Sequence, residues 1–263
     1  MHILFLSHYF PPETNAPASR TYEHARRWVQ EKGVMVTVVT NHPNHPTGVL
    51  FPGYRNRWLT VESKDGITVR RVKTFLAPNA GLVKRSLNYA WFMVAAFLGS
   101  RGVARPDVLV ATSPQFFCAV AGWLASRWHR CPFVFEVRDL WPDSIVTVGA
   151  VQRGLAIRLL ERLELFLYRQ ARKVVVLTDA FRENLLSRGV PDEKVAVFKN
   201  GVDLEFFQPK PPSAELRRSL GAKGRFVVSY IGTLGLAHAV DRIVEVADRL
   251  RSEKDLLFLL VGD

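Results

Sequence analysis

A chain of 263 residues that is 48% hydrophobic and 23% charged can bury one full domain and part of another, which excludes a disordered or fibrous protein. Its formal net charge of +12 calls for anionic partners, and charge alone does not choose among nucleic acid, an anionic membrane surface and anionic small molecules. Nucleic acid is set aside because no RNA-recognition signature, zinc finger or basic heptad region accompanies the charge.

The opening MHILFLS is apolar too briefly, and lacks the cationic lead, for a secretory signal, so the expected location is the cytoplasm. Ile3 to Ser7 reads as a buried strand. Pro17 suits the first turn of a helix, along which Ala18, Tyr22, Ala25 and Val29 recur at helical spacing until Gly33 caps it. Val34 to Thr40 is the next strand. The resulting βαβ unit implies a parallel sheet with a crevice above its first strand. The intervening loop, PPETNAPASR, carries Asn15 and Ala16 where a phosphate cradle would carry glycines, so a polar ligand held by His8, Glu13, Asn15 and Arg20 competes with loop capping as its role.

Asn41 to Trp58 is broken by prolines and glycines and reads as a long functional loop. Pro43 and Pro46 keep His42 and His45 off a helix that would aim both at one metal. Strand material around an Asp65-Gly66 hairpin turn follows. Leu87 to Leu98 is the most apolar helix and is too short to span a bilayer, which takes about 20 apolar residues. Lys84 and Arg85 precede it, and it contains Trp91 and Phe92; either a core helix or one lying on an anionic membrane surface fits.

Val108 to Ala111 is a strand ended by Thr112-Ser113-Pro114, and Gln115 to Trp128 a buried helix. Cys118 and Cys131 lack any ligand spacing and are read as buried free thiols. FVFEVRDLWPDS, residues 133 to 144, passes from a buried strand to a charged, aromatic loop. That is where open α/β sheets hold ligands. Arg138 and Asp139 either meet a ligand there, or pair with each other or brace the next loop. Leu155, Leu159, Leu163 and Phe166 mark one face of the next helix, with Glu161, Arg162 and Arg169 on another. A strand from Lys173 to Thr178, a helix from Asp179 to Arg188 and a strand from Val195 to Phe198 come next. Asn200-Gly201 supplies a tight turn, with Phe206, Phe207 and Pro209 anchoring the exit.

The α/β rhythm restarts with a strand at Phe226 to Ile231, the loop GTLGLAH, a helix from Ala239 to Arg251 and a strand at Leu256 to Val261. Gly232, Thr233 and Gly235 between strand and helix favour a bound phosphate over a plain tight strand-to-helix turn, because exposed backbone donors and the positive helix end face one anion.

Taken in order, FPPETNAPASR, EKGVMVTVVTNHPNHPTG, EVRDLWPDS, FKNGVDLEFFQP and YIGTLGLAHAV resemble the family-four glycosyltransferases, and within them the bacterial subgroup that builds surface polysaccharides, including amino-sugar transferases. The resemblance implies an α/β fold of two Rossmann-like domains of the B type. Residues 1–200 would form an acceptor domain, 201–225 a linker, and 226–263 the start of a nucleotide-sugar domain whose distal part lies beyond Asp263. It implies a retaining transfer from a nucleotide-sugar donor to a lipid-linked or saccharide acceptor, with no cofactor and no metal, at the cytoplasmic membrane face. Gly232, Thr233 and Gly235 would contact the donor diphosphate. Arg138 and Asp139 would border the reacting centre, with His8, Asn15 and Arg20 on the acceptor side and Lys84, Arg85, Trp91 and Phe92 at the membrane. Arg138 stands where many members have histidine, so that histidine's role does not transfer. A non-catalytic membrane-surface module is the rival reading.

Overall fold

The computed structural model describes residues 1–77, 82–113, 115–147, 154–235 and 238–262. Pro114, at the expected end of a strand, Leu236 and Ala237 of the glycine loop, and Asp263 lie outside the described residues. The chain divides into two compact units, Met1–Val146 with Val151–Asn200, and Gly201–Asp263 with Thr147–Ala150.

The first unit is an eight-stranded sheet. Its strands are β1 (His2–Leu6), β2 (Met35–Asn41), β3 (Leu59–Lys64), β4 (Ile67–Val72), β5 (Val108–Thr112), β6 (Phe133–Val137), β7 (Lys173–Val176) and β8 (Val195–Val197). They lie in the order β3-β4-β2-β1-β5-β6-β7-β8. All neighbours are parallel except β3 and β4, which are joined by Asp65 at φ 51 and Gly66 at φ 81. Both central residues of that turn are left-handed, as a two-residue hairpin of this twist requires.

The helices of this unit are α1 (Ala16–Lys32), α2 (Leu82–Ser100), α3 (Phe116–His129), α4 (Asp143–Thr147), α5 (Leu155–Gln170) and α6 (Asp179–Ser187). β1 is buried on both faces, so its side chains alternate between two cores. Ile3 and Phe5 join Ala25 of α1, and Leu4 and Leu6 join Phe92 of α2 and Ala119 of α3. Gly122 lets α3 approach the sheet closely. A Cβ there would lie 2.4 Å from Ala111 Cβ and 3.1 Å from the Phe133 ring. Gly33 ends α1 at φ 60, a conformation that glycine adopts without steric cost.

Three expectations need correction. On α5 the inward face is Ile157, Glu164, Leu167 and Tyr168, whereas Leu155 and Leu159 are 74% and 53% exposed. Glu164 goes inside because Arg188 and the Tyr168 hydroxyl both donate to it. Phe92 is fully buried, and Trp91 packs against the same core and donates its indole N–H to Lys73 O at 2.7 Å. Burial takes Phe92 away from any membrane surface. The turn falls at Asp203, not at Asn200-Gly201: Asp203 Oδ1 accepts from the backbone N–H groups of Glu205 and Phe206. Phe206 and Phe207 are 76% and 62% exposed, so they anchor nothing within the described chain.

The second unit contains α7 (Ala214–Ser219), β9 (Phe226–Ile231), α8 (Val240–Arg249) and β10 (Leu256–Val261). β9 and β10 pair in parallel as a separate two-stranded sheet. No residue of α8, β9 or β10 is fully buried.

Candidate functional site

In the first unit β2 flanks β1 on one side and β5 on the other, so the chain reverses its winding between β1 and β5. At such a switch point the loops leaving the carboxyl ends of the strands part and leave a crevice. The polar groups of the first unit gather there. β1 delivers Ser7 and His8, β2 Asn41 and His42, β5 Ser113, and β6 Glu136, Arg138 and Asp139.

Glu136 and Arg20 form a buried ion pair, their side chains 5% and 7% exposed and 2.9 Å apart. Arg20 also donates to Asn200 Oδ1 at 2.7 Å and Phe198 O at 3.3 Å. Its guanidinium therefore ties α1, β6 and the segment after β8 together. Asn15, the residue before α1, caps that helix by accepting from the Ala18 N–H at 2.9 Å. These partners give both residues an architectural role.

Ser113, which was not singled out in the sequence, sets the turn at Arg138 and Asp139. Its hydroxyl accepts from both backbone N–H groups, at 2.7 and 3.3 Å. Arg138 turns its guanidinium towards Pro17 O, 3.4 Å away. Burial, opposed by Glu136 and helped by Arg20, brings it down to about 10, so it is still a cation at neutral pH. Asp139 accepts from the Ser144 hydroxyl at 3.1 Å. Burial raises its carboxyl above the ordinary range, against the hydrogen bonds from Ser144 and Leu140. The cation and the carboxylate do not pair with each other; each has its own partners.

His8 lies on the other side of the crevice, 5% exposed. Asn41 Nδ2 lies 3.1 Å from one ring nitrogen, and the rings of Tyr9, Tyr89 and Phe92 pack edge-on around it. Burial pushes the imidazole down to about 3, with repulsion from His45 adding to the effect, so it is neutral at physiological pH. Glu13, 2% exposed, accepts from the N–H groups of Asn44 and His45 at 3.1 and 3.0 Å and seats the loop after β2 against the loop after β1. Arg71, fully buried, donates to Pro11 O, Asn41 O and Glu62. Lys84 and Arg85, expected to face a membrane, line one recess together with His8, Tyr9, Asn44 and His45. The sequence held no local sign of that grouping, since its members come from loops and a helix up to 77 positions apart.

In the second unit Gly232, Thr233 and Gly235 follow β9 and precede α8. Gly232 N–H donates to Val261 O at 2.9 Å, and Thr233 O accepts from the Tyr230 hydroxyl at 2.7 Å. A Cβ on Gly262 would fall 1.8 Å from Gly232 O, so a side chain is excluded there and Gly262 joins this loop. Among the described residues no group of three His, Cys, Asp or Glu side chains is arranged to hold a metal ion.

WcaI of Escherichia coli (strain K12), named as a glycosyl transferase of colanic acid biosynthesis, is 24% identical over 270 residues, covering 100% of this chain and 66% of its own length. A GDP-mannose-dependent alpha-mannosyltransferase of Mycolicibacterium smegmatis is 29% identical over 269 residues, covering 100% of this chain and 63% of its own. The chain thus spans a little under two thirds of the length of these relatives. Among solved structures, Anabaena HepE in complex with UDP-glucose matches 100% of this chain and 70% of its own, with a TM-score of 0.57 at 17% identity. That likeness is one of fold, and the fold is Rossmann-like α/β. The model of the glycosyl transferase 4-like domain matches residues 16–201, a span that takes in Arg20, Ser113, Glu136, Arg138, Asp139 and Asn200 on the strand ends, and the chain belongs to that family.

Proposed function

We propose that the chain carries the acceptor unit and the beginning of the donor unit of a nucleotide-sugar-dependent glycosyltransferase of bacterial surface-polysaccharide synthesis. The observation that carries this reading is the family match over residues 16–201, which coincides with the charged strand ends of the first unit. The reaction moves a glycosyl group from a nucleoside diphosphate to an acceptor hydroxyl with retention at the anomeric carbon. The bond from that carbon to the diphosphate oxygen breaks, the diphosphate keeps the electron pair, and the acceptor oxygen forms the new bond and loses its proton.

Such a step needs fixed positive charge for the departing diphosphate and a carboxylate or other dipole for the positive sugar ring. Arg138 and Asp139 are assigned to the reacting centre on this ground. Arg138 retains its charge despite burial, and both are held by Ser113. Gly232, Thr233 and Gly235 are assigned to the donor diphosphate, ahead of an uncapped ten-residue helix, α8. His8, neutral and buried, serves the acceptor as a hydrogen-bonding group and not as a strong base. The acceptor is a saccharide or a lipid-linked saccharide. No helix among the described residues is long and apolar enough to cross a membrane. Leu87 and Val94 of α2, 52% and 48% exposed, support peripheral contact with an anionic membrane at the cytoplasmic face.

The test is nucleoside diphosphate release and product formation from UDP-glucose, UDP-N-acetylglucosamine and GDP-mannose, in this chain and in a version extended to its relatives' length. Release that depends on acceptor and is abolished by Asp139→Asn supports the proposal. Undetectable donor binding in both versions refutes it.

A further inference from the structure

We infer that the cleft between the last turns of α3 and α5, at the amino ends of β6 and β7, binds an organic phosphate, its phosphate on the cations of the rim and its body on an apolar wall. The cleft holds about 620 Å³, within the range of small-molecule sites, roughly 300–1,000 Å³. It opens beside Phe133, where β6 begins, whereas Arg138 and Asp139 follow Val137, where β6 ends. The length of that strand, about 13 Å, separates the two ends. An occupant of the cleft therefore does not reach the groups assigned to the transfer.

Charge selects a phosphate. Arg127 of α3 and, from the β7 side, Arg172, Lys173 and Lys194 line the cleft, against one carboxylate, Glu193. Lys173 donates to Glu193 O at 2.6 Å, and Lys194 to Arg169 O at 2.6 Å and Ala171 O at 3.1 Å. Carbonyl groups hold an ammonium in place without cancelling its charge. The Arg127 and Arg172 guanidinium groups have no partner among the described residues. Four cations less one carboxylate leave three positive charges. The carboxyl ends of α3 and α5 offset part of this, about half a charge each, so an excess of about two remains. A phosphate monoester, at about −1.5 to −2 near neutral pH, balances that excess, and a single carboxylate balances half of it.

The wall selects an organic body. Trp123 and Pro132 line the cleft above the buried Phe133 ring, and Trp123 is fixed edge-on against Phe166 of α5, with centroids 5.0 Å apart. Cys131, beside them, is a free thiol that burial pushes up, so it adds no negative charge at neutral pH. The Trp123 indole N–H has no acceptor among the described residues, although buried indoles usually find one. Inorganic phosphate would use the cations and leave the wall bare and most of the volume to water. A phosphate ester uses both.

The test uses the whole chain, titrated by calorimetry at low ionic strength with AMP, glucose 1-phosphate and inorganic phosphate. Alkylation of Cys131 by N-ethylmaleimide is followed in parallel, since Cys118, the other cysteine, is fully buried. The expected result is saturable binding of a phosphate ester, tighter than that of inorganic phosphate, which slows Cys131 alkylation severalfold at saturation. Arg127→Ala/Arg172→Ala weakens it about tenfold or more, the loss expected for two charge-assisted hydrogen bonds. Arg158→Ala/Arg162→Ala, which removes the same charge from the exposed face of α5, leaves it unchanged. Tighter binding of AMP than of glucose 1-phosphate identifies a nucleotide as the source; the reverse identifies a sugar phosphate. Ester binding that leaves Cys131 alkylation unchanged places the ligand elsewhere and overturns the inference, as do equal losses in the two double variants. Binding of polyglutamate with no saturable binding of either ester overturns it too, and makes the cleft a surface for acidic peptide.

Discussion

Replacing Arg20 by alanine deletes the cation that faces Glu136, and the structure sets the size of the loss. The two side chains are 7% and 5% exposed and 2.9 Å apart. At an effective dielectric of 20 the gross attraction at that distance is about 6 kcal/mol, most of it offset by the desolvation of both groups. Removing one partner strands the other charge in the interior, and the expected loss is about 3–5 kcal/mol. Asn200 Oδ1 and Phe198 O lose their donor in the same step. Glu136→Gln keeps an acceptor oxygen and should cost less. The double variant should cost less than the two single losses added together, because no charge is left unpaired. Urea unfolding followed by tryptophan fluorescence reads this cleanly, since all six tryptophans lie between Trp28 and Trp141, within the first unit. A loss under about 1 kcal/mol in Arg20→Ala, or strict additivity in the double variant, would refute the architectural role and return Arg20 to the list of ligand-binding residues.

Three further outcomes follow from the geometry. Burial holds the His8 folded-state pKa near 3 against an ordinary 6.5, so the unfolded chain binds the extra proton. The His8 contribution is fully present above pH 6.5 and is lost as pH falls towards 3, at about 1.4 kcal/mol per pH unit. The difference between the parent and His8→Gln in denaturation from pH 7 to 4 should show that slope, and a flat difference would contradict it. Ser113→Ala removes the acceptor of two backbone N–H groups and should destabilise the first unit by about 1–3 kcal/mol, with faster amide exchange at Arg138 and Asp139; unchanged exchange would show the turn to be held elsewhere. Gly122→Ala forces a Cβ to within 2.4 Å of Ala111 Cβ and should cost about 1–3 kcal/mol in the same urea assay; a neutral result would mean that α3 shifts freely on the sheet.

Local order was legible in the sequence. The run of valines in β2, the Asp65-Gly66 turn and the Gly33 cap each depend on residues within a few positions of one another. The α/β alternation that identifies the fold is a repetition of such local patterns. The charged end of β6 was legible for the same reason, because an apolar run that turns abruptly polar marks where a strand leaves the core.

Partnership across the sheet was not legible. Arg20 meets Glu136 across 116 positions, and Ser113 reaches Arg138 and Asp139 from the neighbouring strand. Strand order brings these together, and no spacing along the chain encodes it. On α5 the helical period marked a face through Leu155, Leu159, Leu163 and Phe166, which is not the face that the structure buries most deeply. The deciding factor was Arg188, 24 positions away, whose guanidinium makes burial of Glu164 tolerable and turns Leu155 and Leu159 outward. The apolar content of α2 likewise identified a helix, while its packing on the sheet decided that Phe92 is core and that Lys84 and Arg85 share a recess with His8. The sequence by itself determined which segments are strands and helices, because backbone preference and hydrophobic period act over a few residues. The tertiary structure alone decided which charges neutralise each other and which remain for a ligand, because that depends on distances between segments far apart in the chain.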